Sequence, residues 1–353
     1  MSLTIRTFFF LLLLLALNGV WVLFIATSGL RDLNDAVEHN QFPDGLQGSL
    51  SFTSIRSIDK HILSLVMFNM PMVSNESPIA SARLFMGEFV ASMLVVIMLL
   101  AIEGSYQEKS KPYPQTFMWL FLVATTTSAV ALPIYCLGTA IPVMRNTRTG
   151  HVSSVLPGII GVVGGYAIPA GLMFDPFDLG PIAQSRWVAA FALFPFGVQM
   201  LGSFTRGVIA LLPSRETPSH RYGSAYHMIQ ITHFLTGAVA IFHHYLAIAS
   251  VIHHPHLSLK DLYFPTSNTT TLSGKIFVFL QIDYGLTSAV LLLWMFSKLR
   301  ACEVMHPALL FPALVFGTGL LGPGGVVAVC SVYYERWVFL QLESTVVREG
   351  KGM

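Results

Sequence analysis

Long apolar runs separated by short polar connections set the pattern of this chain. A helix needs roughly 20 mostly apolar residues to cross the hydrocarbon layer of a bilayer. Such runs fall at 7–27, 79–102, 117–143, 155–174, 187–212, 226–252, 276–296 and 308–333. They predict an all-α fold, a polytopic transmembrane bundle with about eight spanning helices. A polar stretch of some thirty residues follows the first run, from Arg31 to Lys60, but no soluble domain is evident, so residues 1–353 read as a single membrane domain. The first run, with Phe8-Phe9-Phe10 ahead of five leucines, is longer than the roughly 7–15 apolar residues of a cleaved leader, and a retained anchor is expected. A shorter run at 62–73, broken by Pro71, is expected to lie at the interface or to re-enter. Gly161 and Gly165 form a GxxxG pair, which lets two helix backbones approach closely. Pro133 lies inside the third run, and Gly322-Pro323-Gly324-Gly325 interrupts the last.

Composition agrees with lipid burial. Only 11% of the 353 residues are charged and 54% are hydrophobic, against about 25% charged in soluble domains. The net charge of +2 and the absence of a basic block argue against nucleic acid as a partner. With all eight runs crossing, and Arg83 and Arg206 set aside as intramembrane, nine Lys or Arg fall on each side. Orientation is then unreadable. The same count puts the sequons at Asn75 and Asn268 on opposite sides. Cys136, Cys302 and Cys330 have neither metal-ligand nor disulfide spacing.

Candidate chemistry comes from polar groups at bilayer depth, which are costly there and usually face the bundle interior. Tyr226, Gln230, His233, Gly237 and His244 share one face of the sixth run and should meet a cavity or a partner helix. Gln199, Ser203 and Arg206 make a second stripe, with Arg206 either reaching the headgroups or pairing with a buried anion. Glu88 and Asp283 are the deepest acids. Hydrocarbon disfavours a charged carboxyl, so each is either a structural hydrogen-bonding acid or a neutral proton donor. Arg83 does not share a helical face with Glu88 and is not expected to pair with it. His233 and His244 lie about 16 Å apart along a helix at 1.5 Å per residue, too far for one ion. Neither metal nor other cofactor is expected. Phenylalanine is abundant, with 26 residues, and rings around a neutral acid would suit a cationic intermediate.

Three stretches carry a resemblance. They are Gly165-Tyr166-Ala167-Ile168-Pro169-Ala170-Gly171-Leu172-Met173, the run from Trp187 to Gln199 around Leu193-Phe194-Pro195, and Leu321-Gly322-Pro323-Gly324-Gly325 with the later Tyr333-Tyr334-Glu335-Arg336. They resemble the fungal integral-membrane terpene cyclases of meroterpenoid pathways, of the ascochlorin, ascofuranone and macrophorin type. The likeness spans residues 155–340; Gly325 stands where that pattern has Ala, and Glu335-Arg336 where it has Arg-Glu. The resemblance implies a metal-independent cyclase of the endoplasmic reticulum. Such an enzyme protonates an olefin or epoxide of a farnesyl-type chain on a lipophilic aromatic head, and a carbocation then closes the ring. On that reading Glu88 and Asp283 are the candidate proton donors, and Glu335 follows from the resemblance alone. Gln230, His233 and Tyr284 would hydrogen-bond the acid, the epoxide oxygen or the head group. Tyr226, Gln199 and Arg206 complete the expected substrate contacts. The rival expectation is a small-molecule permease built on broken helices.

Overall fold

The computed structural model describes residues 3–49, 51–53, 55–106, 114–138, 152–211, 218–265 and 270–350. The linker at 107–113, the end of the third run beyond 138, and Asn268 lie outside them. The described elements are all helical: α1 (Leu3–Ala26), α2 (Gly29–His39), α3 (Arg56–Val73), α4 (Ala82–Tyr106), α5 (Pro114–Thr126), α6 (Ser128–Gly138) and α7 (Val155–Leu172). They continue with α8 (Pro181–Ala192), α9 (Phe194–Leu211), α10 (Pro218–His253), α11 (Leu259–Tyr263), α12 (Leu272–Ala301) and α13 (Pro307–Gly350). Among the described residues six helices, α1, α4, α7, α10, α12 and α13, have the length and apolar character to cross a bilayer, α13 only if its two parts on either side of Gly322 are counted as one. The pair α8–α9, bent by 69°, makes a seventh if it is one span. The protein is a multi-pass helical membrane protein. Its central helix is α4, whose apolar window is wholly buried, whereas α1 turns most of its surface outward.

Three of the eight expected spans do not run straight through: the fifth is the bent pair α8–α9, and two others double back. The third breaks at Thr127 into α5 and α6, which return side by side: Trp119 and Tyr135, one on each arm, pack edge to face at 5.2 Å. Both arms leave from the same end of α4, since Thr116 abuts Gly104 and the Tyr135 hydroxyl donates to Glu103 at 2.5 Å. The last run folds back at Gly322 (φ 72°, ψ 162°), inside α13. Phe311 packs on Phe296 of α12, and the Tyr334 ring lies 5.0 Å from Lys298 Nζ, two residues further along α12. In a straight helix Phe311 and Tyr334 would be roughly 35 Å apart. A Cβ on Gly317 would touch Val326 at 3.2 Å, as two returning arms require. The reasons are local. Thr127 takes φ 92°, which a β-branched residue rarely adopts, and Gly322 takes a φ that favours glycine, with Pro323 starting the second arm.

The expected close approach at Gly161 and Gly165 is present. A Cβ on Gly165 would come within 2.2 Å of Val198 N, and one on Gly161 within 2.6 Å of Val198 O, so α7 and α9 meet backbone to backbone. The run at 62–73 belongs to α3, which does not qualify as a span and packs on α2, α4 and α8. Asp59 ties the preceding loop to α3. Desolvation works the other way, but hydrogen bonds from Thr53, Ser51 and Phe52 hold its carboxyl below the usual range. The Lys275 ammonium pins α2 through Asp32 at 2.5 Å.

Candidate functional site

A cavity of about 290 Å³ lies inside the bundle, near the lower end of the roughly 300–1,000 Å³ common for ligand sites. Its wall carries two aromatic groups. Trp21, Phe24 and Phe68 surround Phe279, with ring centroids 5.0–5.5 Å from it. Tyr166, Phe191 and Phe194 form the other, at centroid distances of 5.2–6.3 Å. Met86, Phe89, Val90, Met93 and Ile97 close the space between from one face of α4. Leu30 and Leu33 of α2 and Phe68 of α3 cover one end. Ring faces attract a cation within about 6 Å, so this lining can hold developing positive charge without a counter-ion.

Asp283 is the single carboxylic residue in that lining. It sits at the turn between α5 and α6. The Ala129 N–H donates to its Oδ1 at 2.8 Å, and the Ser128 hydroxyl lies 3.2 Å from Oδ2 and 2.8 Å from the Thr287 hydroxyl. The break at Thr127 is what makes this possible. It exposes the first N–H groups of α6 in mid-bundle, where a helix N-terminus favours an anion. The carbonyl of Thr126, freed at the same break, accepts from Trp21 Nε1 at 2.9 Å. One carboxyl oxygen is thus fixed by a backbone donor, and the other faces a hydroxyl that can donate or accept.

Glu88 occupies a separate centre. It projects from the face of α4 opposite the cavity and is 1% exposed. Three groups converge on it: Tyr284 on Oε1 at 2.8 Å, His244 Nδ1 on Oε1 at 2.8 Å, and the Tyr263 hydroxyl on Oε2. His244 Nε2 lies 3.2 Å from the Gly319 carbonyl, at the end of the first arm of α13, where helix carbonyls lack partners. Because that carbonyl can only accept, Nε2 carries a proton. A second proton then lies between Nδ1 and Oε1, either as imidazolium with carboxylate or as imidazole with carboxylic acid. Either way the pair is neutral as a unit. Tyr263, outside the spans, has its phenol raised above the usual range by burial and by the neighbouring Glu88. Gly322 leaves room for the ring, since a Cβ there would lie 3.0 Å from His244.

The remaining sequence candidates sit elsewhere. Gln230 donates to the Val332 carbonyl at 3.0 Å, and Tyr226 stacks on Phe339 at 4.3 Å. The stripe on α10 therefore meets the second arm of α13, a partner helix and not the cavity. His233 is fully buried, with no hydrogen-bond partner on either ring nitrogen among the described residues. Neither it nor Gln230 bonds Glu88 or Asp283, because the register of α10 gives that place to His244. Gln199 donates to Ser203 at 3.3 Å beside a separate, more open pocket, and Arg206 follows on the same helix; neither lines the cavity that holds Asp283. Arg83 donates to the Phe174 carbonyl at 2.5 Å. Glu335 is buried beside Tyr334, near the Lys298–Glu103 ion pair. The sequence reading passed over Tyr263 and left His244 out of the site, although His244 stood in its polar stripe. Among the described residues no three His, Cys, Asp or Glu stand together as metal ligands.

The model of the CtvD domain matches residues 5–339, nearly the whole chain. The chain belongs to the CtvD domain family. Curated relatives align over almost their full lengths. Terpene cyclase rstn5 of Aspergillus nomiae is 27% identical over 94% of this chain and 93% of its own. Terpene cyclase resF of Aspergillus sclerotiorum is 28% identical over 93% of each, and a terpene cyclase of Pyrenophora dematioidea is 24% identical over 94% of each. No solved structure matches the chain. Within the CtvD family, then, this member carries an acid at the wall of an aromatic cavity, and a second acid enclosed by donors on the far side of α4.

Proposed function

We propose that this CtvD-family member is a membrane terpene cyclase of secondary metabolism, active in the endoplasmic reticulum. It protonates an olefin or terminal epoxide of a farnesyl-type chain carried by an aromatic head. The observation that carries this reading is a carboxyl group, Asp283, on the wall of a cavity lined by eight aromatic rings. The relatives named terpene cyclase support the reaction class, and nothing among them supports a permease.

The steps follow from the wall. Asp283 in its acid form gives its proton to the epoxide oxygen, the C–O bond breaks, and a tertiary cation forms. The chain's double bonds add to that cation in turn, closing rings. Loss of a proton from the last cation restores a double bond, and the Asp283 carboxylate takes that proton back. The Ala129 N–H and the Ser128 hydroxyl stabilise the carboxylate as it forms, which makes the acid more effective at the moment of transfer. Burial among apolar side chains keeps water from capturing the cation. The substrate is lipophilic and arrives through the bilayer.

The test is direct. Microsomes containing the protein, given an epoxyfarnesyl phenol, are expected to yield a cyclised isomer of unchanged mass, absent from empty microsomes. Transport of the compound into sealed vesicles without isomerisation would overturn the reading.

A further inference from the structure

The cavity has a polar spot distant in sequence from its acid. Ser64 and Asn69 of α3 both line it. The amide nitrogen of Asn69 is committed to its own helix, donating to the Leu65 carbonyl at 2.8 Å. Because a carboxamide is planar, fixing the nitrogen on that carbonyl turns Oδ1 away from the helix. Of the other polar groups on the wall, Thr125 donates to the Phe121 carbonyl at 2.8 Å, Tyr166 to the Val90 carbonyl at 3.0 Å, and Ser128 belongs to the Asp283 set; the Thr127 hydroxyl, at the turn beside Asp283, has no partner among the described residues. The Asn69 oxygen accepts no hydrogen bond among the described residues.

An amide oxygen can only accept. In an apolar cavity it is left unpaired by a hydrocarbon and satisfied by a hydroxyl. We propose that Asn69 sets substrate specificity by accepting a hydrogen bond from a hydroxyl on the aromatic head, with Ser64 beside it; this rests on the cyclase reading above. The placement also fits ring closure. Phe68, next to Asn69, packs on Phe279 at 5.3 Å, and Phe279 is one helical turn before Asp283. A chain with its head at Asn69 and its reactive end at Asp283 would run along this aromatic group, which can hold the cation as the chain's double bonds add to it.

Losing one hydrogen bond of this kind costs about 0.5–1.5 kcal/mol net, or roughly two- to tenfold in affinity. The experiment compares the wild type with Asn69→Leu on an epoxyfarnesyl phenol and on its O-methyl ether. The wild type is expected to show the lower KM for the free phenol. Asn69→Leu should raise that KM by about two- to tenfold, keep kcat, and treat both compounds alike. Asn69→Ser, which restores a short acceptor, should recover part of the preference. Equal KM values for phenol and ether in the wild type, or an unchanged KM in a folded Asn69→Leu, would overturn the assignment and leave the cyclase reading standing. Failure of the wild type to cyclise either compound would instead sink the cyclase reading.

Discussion

Asp283→Asn is expected to abolish ring closure while leaving the protein folded. The amide keeps an oxygen for the Ala129 N–H, so the turn at Thr127 retains its main support. What disappears is the transferable proton. General acids contribute typically about 10²–10⁴-fold, and turnover of an epoxyfarnesyl phenol should fall by that factor, with little change in detergent unfolding temperature. Product formation at the wild-type rate in this variant removes Asp283 from the mechanism. If Glu88→Gln is also fully active, the assignment of a buried carboxylic acid as proton source is lost altogether.

The largest effect on stability is expected at Glu88. Its two oxygens receive Tyr284, Tyr263 and His244, which come from α12, α11 and α10. Glu88→Ala leaves the buried Tyr284 phenol, the half-buried Tyr263 phenol and an imidazole without their common acceptor. Removing one partner of a buried pair costs about 3–5 kcal/mol, read as a lowered midpoint of chemical unfolding in mild detergent. Glu88→Ala combined with His244→Leu should cost clearly less than the sum of the two single changes, since each removes the other's partner. Additive losses would mean that the two side chains do not act as a unit. The two acids thus separate by experiment: one variant stops chemistry in a folded protein, the other loosens the bundle.

The sequence disclosed the all-helical membrane fold and the glycine seam between α7 and α9. These depend on local composition and spacing, which a single chain displays directly. The direction of travel was hidden. Hydropathy measures how long an apolar run is, and a run that turns back halfway scores the same as one that crosses. Thr125-Thr126-Thr127-Ser128 was the available sign of the first turn, a cluster of hydroxyl side chains amid apolar neighbours. Gly322-Pro323 marked the second, but a proline in such a helix is equally compatible with a mere kink. The separation of Glu88 from Asp283 was hidden for a related reason. Each acid's own helix was legible, but the partner facing it depends on how α4 is rotated within the bundle.

The two helices that double back also reorder the faces of the protein. With α5–α6 and the arms of α13 returning to the side they left, and α8–α9 taken as one span, the start of α1 and the end of α13 fall on one face. Their connections and tails carry eleven Lys or Arg, against six opposite, setting aside Arg83, Arg206 and Lys298. Such an imbalance points the richer face to the cytosol. Epitope tags at either end should therefore be digested by protease added to intact microsomes, whereas a tag inserted beside Asn75 should survive until detergent is added.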